Sequence, residues 1–150
     1  MLPSPMPHTI TSFLTEDHSR CDDLWTRTED AVQAQRGARD AWNAFRTAID
    51  RHFRMEEEAL FPALERAVGG RFPPVGVMLM EHRQMRELFT QLDAAIAAGD
   101  VDEFSGLSQT LLIVMEQHNL KEQNILYPTA DRALGATTAT ILEQMTVLGS

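Results

Sequence analysis

The sequence predicts an all-α protein: an up-down-up-down four-helix bundle made of two pseudo-symmetric helical hairpins, followed by a short C-terminal helix. Three observations carry this. Apolar residues recur at spacings of three and four through four long segments, glycine or proline falls at the junctions, and no segment alternates with the period of two that a strand would show. Long amphipathic helices joined by short connections pack antiparallel to their neighbours. The 150 residues suffice for one domain with a core of its own, expected to span 1–150.

The elements follow in order. Residues 1–10, rich in proline, are expected to form an extended arm, with His8 on its surface. The bundle then occupies about 11–134. Its first helix, about 12–35, carries Leu14, His18, Cys21, Trp25, Thr28 and Val32 on one face, with Ser12 or Thr15 as its cap and Glu16 and Asp17 in its first turn. Gly37 separates it from a second helix over 38–68, which aligns Trp42, Phe45, Ile49, His52, Glu56 and Leu60 and which Pro62 should bend. Gly69 and Gly70 end that helix. A third, 74–98, has Met78, His82, Met85, Phe89 and Leu92 in register, and Gly99 closes it. The fourth, 101–134, aligns Phe104, Leu107, Leu111, Val114, His118, Glu122 and Ile125. A C-terminal helix over about 137–148 offers Ile141, Met145 and Leu148 for packing.

The two halves repeat. His52 and Glu56 precede Leu60-Phe61-Pro62 as His118 and Glu122 precede Leu126-Tyr127-Pro128, and an offset of 64 residues lays His18 on His82, each preceded by an acid, Asp17 or Glu81. In a helix, residues four apart share a face, so each His/Glu pair presents two ligands at once. A pseudo-two-fold relation between hairpins then gathers His18, His52, Glu56, His82, His118 and Glu122 in one interior. Burying four imidazoles and two carboxylates uncompensated would cost on the order of several kcal/mol per unpaired ionised group. A pair of metal ions compensates all six.

Nitrogen and oxygen ligands without a consistent thiolate point to iron or manganese, with zinc possible. The expected partition gives His18 and His52 to one ion and His82 and His118 to the other, with Glu56 and Glu122 bridging. Water, hydroxide or an oxo bridge would complete the coordination, and open positions suit dioxygen, nitric oxide or peroxide. Asp22 lies one turn after His18, but its counterpart is Arg86, so a surface salt bridge is the preferred reading. Glu57 and Glu58 are rotated off the ligand face, either solvated or behind a ligand, and Asp17 and Glu81 are placed to hold imidazoles by their second nitrogen. Cys21 and Met55, Met78, Met85 and Met115 are expected as core. Tyr127 is placed to donate a hydrogen bond near the site, but its match to Phe61 argues against an essential hydroxyl.

Composition narrows the function further. A net charge of −9 argues against nucleic acid as a main partner, and the longest apolar runs are too short for a membrane span. One cysteine and no secretory signal lead to the expectation of a cytoplasmic protein. No phosphate-binding loop, nucleophilic serine motif or zinc-protease helix is present.

The Asp17-His18, His52-to-Pro62, Glu81-His82 and His118-to-Pro128 elements resemble the hemerythrin-like family, the HHE cation-binding domain, over about residues 10–134. The resemblance implies a four-helix bundle with a non-haem di-iron centre, oxo- or hydroxo-bridged, held by His18, His52, Glu56, His82, His118 and Glu122. Oxygen-carrying members have a further His one turn from the position of His82, where this chain has Met78 and Arg86. The chain is thus more similar to the branch linked to iron or oxygen sensing and to repair of iron centres after nitrosative stress, with no cysteine before the first helix of the kind the repair proteins carry. The function expected is binding or sensing of dioxygen, nitric oxide or iron. A di-iron oxidase or peroxidase is the alternative within the same centre, and a metal-free helical interaction module the alternative without one. Whether the chain is an enzyme is left open.

Overall fold

The computed structural model describes residues 8–149. Residues 1–7 of the expected arm lie outside the described part. The chain turns helical at Ile10, earlier than the apolar pattern indicates, and the cap is Thr9. Its hydroxyl accepts the Ser12 backbone N–H at 2.9 Å while Ser12 Oγ accepts the Thr9 N–H at 2.9 Å. This reciprocal box satisfies two of the backbone groups that a helix start leaves free. A second support comes from far along the chain. Asp131 accepts the backbone N–H groups of Ile10, at 2.7 Å, and Thr11, at 3.2 Å. With the start moved back, Glu16 and Asp17 fall outside the first turn, and the dipole argument for them lapses.

Helix α1 spans Ile10–Ala34 and α2 Ala38–Arg54. The α2 helix runs without a break through a π-helical turn, Met55–Leu60, into α3, Phe61–Val68. The second hairpin repeats the plan. Helix α4, Pro73–Ala98, is followed by α5, Val101–Lys121, then by a π-helical turn, Glu122–Leu126, and α6, Tyr127–Leu134. A 3-10 turn, Gly135–Thr137, leads to α7, Thr138–Leu148. Four long rods result, with α1 against α2–α3 and α4 against α5–α6. Gly69 and Gly99 close their helices in the left-handed region, φ 85° and 66°, where a side chain would be strained. Among the described residues no strand occurs, and no helix is long and apolar enough to cross a membrane.

The bend expected at Pro62 takes another form. Phe61 N–H bonds to Glu56 C=O and Tyr127 N–H to Glu122 C=O, five residues back in each case. A proline has no N–H to give, and its ring crowds the carbonyl four residues earlier. Widening the preceding turn to π spacing relieves the crowding at the same place in both halves, and such turns mark functional positions in helices. The widened turn also changes which residues face inward. Ile125, expected in the core, is 57% exposed, while Leu126 and Tyr127 are buried.

The apolar core is divided in two. At one end Ile10, Leu14, Leu60, Phe61, Leu64, Met78, Leu126 and Tyr127 pack together, with Ile141 and Met145 of α7 closing over them. At the other end Trp25, Trp42, Phe45, Phe53, Phe89 and Phe104 form an aromatic cluster with Cys21, Met85 and Leu111. Burying each large ring stabilises the fold by about 1.5–3 kcal/mol. Between these clusters lies a layer of buried polar side chains.

Candidate metal centre

Every rod sends a polar group into that layer. His18 comes from α1, His82 from α4, His52 with Glu56 from α2 and its π turn, and His118 with Glu122 from α5 and its π turn. All six are at most 4% exposed. The imidazoles stand in two pairs, His18 with His52 at 4.6 Å between ring centroids and His82 with His118 at 5.0 Å. Both carboxylates lie between the pairs. Two groups of donor atoms, each drawn together within 4.8 Å, emerge: His18, His52, Glu56 and Glu122, and Glu56, His82, His118 and Glu122. The carboxylates belong to both groups.

The outer nitrogen of each ring is held. His52 Nδ1 lies 2.8 Å from Asp17 Oδ2, His118 Nδ1 2.9 Å from Glu81 Oε1, His82 Nδ1 2.7 Å from Glu57 Oε2, and His18 Nδ1 2.8 Å from Gln123 Oε1. Each bond places the proton on Nδ1 and turns Nε2 inward. The three carboxylates are steadied in turn. Arg20 pairs with Asp17 at 3.3 Å, Arg86 grips Glu57 at 2.8 and 3.0 Å, and Lys121 pairs with Glu81.

Inside the layer the polar groups are under-satisfied. Nε2 of His52, His82 and His118, Oε1 of Glu56 and Oε2 of Glu122 are buried without a hydrogen-bond partner. His82 Nε2 and Glu56 Oε1 approach to 3.1 Å without the alignment of a hydrogen bond. Leaving such groups unpaired costs about 1–3 kcal/mol each. A donor set of inward imidazole nitrogens and carboxylate oxygens fits a cation, which would satisfy them together.

Electrostatics follows from the same burial. For His52, burial works against the charged ring, but the Glu56 charge and the bond to Asp17 outweigh it and hold the imidazole up at about 10. His82 is likewise disfavoured by burial yet raised to about 9 by the Glu56 carboxylate close against it and by its bond to Glu57. Burial opposes Glu57 as well, and His82 with Arg86 overcomes it, bringing the carboxyl down to about 2. Glu56 is held well below the ordinary carboxylate range, burial being overridden chiefly by the His52 charge.

Tyr127 makes the hydrogen bonding near the site that the sequence suggests. Its hydroxyl stands in the middle of the layer, 2.5 Å from Glu56 Oε2 and 2.9 Å from Glu122 Oε1, so that its single proton is shared between the two carboxylates, and 3.2 Å from His18 Nε2. Burial first, then the charges of Glu122 and Glu56, push this phenol well above its usual range, so it stays a neutral donor. Phe61 at the matching position packs its ring 5.9 Å from His82. The Tyr/Phe mismatch is thus a departure from the symmetry of the two halves. Gln123 is not among the candidates the sequence suggests; its match to Glu57 across the repeat is the signal that could have found it.

The remaining candidates fall outside the layer. Asp22 is exposed and belongs to neither donor group, and Glu58 is exposed and paired with Arg54 at 3.3 Å. His8 is exposed, 3.3 Å from Ser12 Oγ. Cys21 is buried, and burial with the charges of Asp17 and Asp22 pushes its thiol up to about 12, which suits a core residue. The turns flanking His82 offer no further imidazole. Met78 is buried in the core, and Arg86 lies with its guanidinium 5.0 Å from the Phe53 ring, which itself stacks on His82 at 3.9 Å.

The family model for the hemerythrin HHE cation-binding domain matches residues 9–130. No curated protein and no solved structure matches the chain.

Proposed function

The chain belongs to the hemerythrin HHE cation-binding family, and on that premise we propose that it is a non-haem di-iron protein that binds or senses a small ligand, namely dioxygen, nitric oxide or iron itself. In this reading His18 and His52 hold one ion, His82 and His118 the other, and Glu56 and Glu122 reach both. The observation that carries it is the set of inward-facing, buried nitrogen and oxygen donors drawn together from four helices, five of them without a hydrogen-bond partner. When bound, a pair of redox-active ions supplies one or two electrons to a diatomic ligand.

The protein's own groups do the rest. Asp17, Glu57, Glu81 and Gln123 orient the four rings and set their tautomers. Tyr127 offers the one hydroxyl that reaches both carboxylates, so it can steady whichever carboxylate oxygen is not engaged. The two apolar clusters on either side keep bulk water from the layer. With Met78 and Arg86 beside His82 in place of another imidazole, the reading favours sensing or stress-related ligand binding over reversible oxygen carriage.

Metal analysis with a visible spectrum, on protein purified in air and then reduced, tests this. Close to two iron ions per chain and a charge-transfer band that bleaches on reduction are expected. Protein that takes up no transition metal, and whose melting temperature chelators leave unchanged, would overturn it in favour of a metal-free helical module.

A further inference from the structure

The outer face of α5 differs from that of its neighbour α1. On α1 the exposed positions include Glu16, Arg20, Asp22, Asp23, Arg27 and Asp30, as suits a chain whose net charge is −9. On α5, from Gly106 to Leu120, every exposed residue except Glu116 is uncharged. Three of them are large and apolar, Ile113 being 60% exposed, Leu120 50% and Leu112 42%. Apolar side chains gathered on a surface where charge is sparse mark a place that meets another protein.

Gly106 points the same way. A glycine weakens the interior of a helix and earns its place where the backbone turns left-handed or a neighbour comes close. Gly106 lies within α5, outside the positive-φ positions, and a Cβ built on it would meet nothing of this chain within 4 Å. The room beside it is open to a group from outside the chain.

The spacing of the stripe fits one occupant in particular. Gly106, Ile113 and Leu120 stand at intervals of seven residues, so they form a nearly straight line on the side of α5 opposite the buried Phe104, Leu111 and Met115. Ile113 is the midpoint. Laid antiparallel on a second α5 about a two-fold axis at Ile113, Ile113 meets its own copy, and Leu120 of each chain falls on Gly106 of the other. The same pairing sets Glu116 beside the neutral Gln109. It also brings Lys121, on the side of α5 that faces Glu81 of α4, beside Glu103 of the other copy, opposite charges at both ends of the seam. Two copies that each carry −9 repel, and a stripe with one acid brings little of that charge to the contact.

We propose that the chain forms a two-fold dimer through this stripe, with α5 lying antiparallel against α5 of a second copy. The seam is one helix wide, at the small end of protein interfaces, so a dissociation constant of about 1–100 μM is expected.

Sedimentation velocity of the full-length chain as purified, from about 1 to 500 μM, tests this, with a reversible passage from monomer to dimer expected across that range. Ile113→Lys sets two like charges on the axis and should weaken the dimer at least about 100-fold. Gly106→Leu and Leu120→Gly each remove half of the fit and should weaken it about tenfold, whereas the double variant exchanges the large side chain and its seat and should return to within about threefold of the native constant. These positions are exposed, and a circular dichroism spectrum checks that each variant stays folded; Ile113→Lys decides alone if a glycine variant loses helix. A native chain that stays monomeric to about 500 μM overturns the dimer and leaves the stripe to a different protein. A dimer that survives Ile113→Lys places the contact elsewhere and overturns it as well, and a double variant no tighter than its two parents refutes the antiparallel register.

Discussion

Asp17 precedes His18 in the chain, but the imidazole it holds is that of His52, 2.8 Å away on the neighbouring helix. Glu81, next to His82, likewise reaches across to His118 at 2.9 Å. An acid before a histidine on one helix therefore supports the histidine of the next, and each hairpin is tied together through its own polar layer. Asp17→Asn and Glu81→Gln are each expected to lower metal affinity about 10–100-fold while leaving the helical content unchanged. Calorimetric titration beside a circular dichroism spectrum checks both parts.

Glu56 and Glu122 belong to both donor groups. Replacing either by Ala should therefore cost more than one ligand, and bound metal per chain should fall below that of a single-histidine variant such as His18→Ala. Elemental analysis after desalting gives the count. A full complement of two ions in Glu56→Ala would refute the shared role of that carboxylate.

Proton release should accompany metal uptake. In the metal-free fold His52 sits at about 10 and His82 at about 9, above the ordinary 6.5, so both are charged at pH 7. A ligating imidazole must be neutral, so binding at pH 7 should expel protons and tighten as the pH rises. Calorimetry in buffers of different ionisation enthalpy measures the release. The same shifts act oppositely on the empty protein. Raised values stabilise the fold fully below about pH 6.5, and that contribution is lost as the pH climbs through 9 to 10. The melting temperature of metal-free protein should accordingly fall between pH 7 and 10.

Tyr127→Phe removes the hydroxyl that lies within hydrogen-bond distance of both central carboxylates. Without metal it should destabilise the fold by about 1–3 kcal/mol, the cost of leaving buried acceptors unpaired. With metal bound the loss should shrink, because the same oxygens have the ions as partners. Denaturant unfolding with and without metal separates the two cases, and an equal loss in both would show that the hydroxyl acts through packing alone.

Much of this protein can be read along the chain, and the reason is geometric. A four-residue step from His52 to Glu56 or from His118 to Glu122 spans one helical turn whatever surrounds it, so the donors, their common face and the repeat follow from spacing. Helix ends at Gly69 and Gly99 are equally local, since they turn on the backbone freedom of one residue. Ile125 marks where local reasoning fails. Pro128 widens the turn before it to π spacing, and the inward face passes to Leu126 and Tyr127.

What depended on tertiary structure is the set of relations between helices. Which acid backs which ring is decided by how far one rod is rotated against the next, so Asp17 serves His52, and the Asp131 carboxylate braces the start of α1 from the far end of the chain. The Tyr127 hydroxyl, at the end of the second hairpin's long rod, meets Glu56 of the first hairpin only once the two hairpins are packed together. Helical periodicity places a side chain on a face. Only the packing of four rods, with its balance of apolar burial and polar pairing, brings that face to a particular partner.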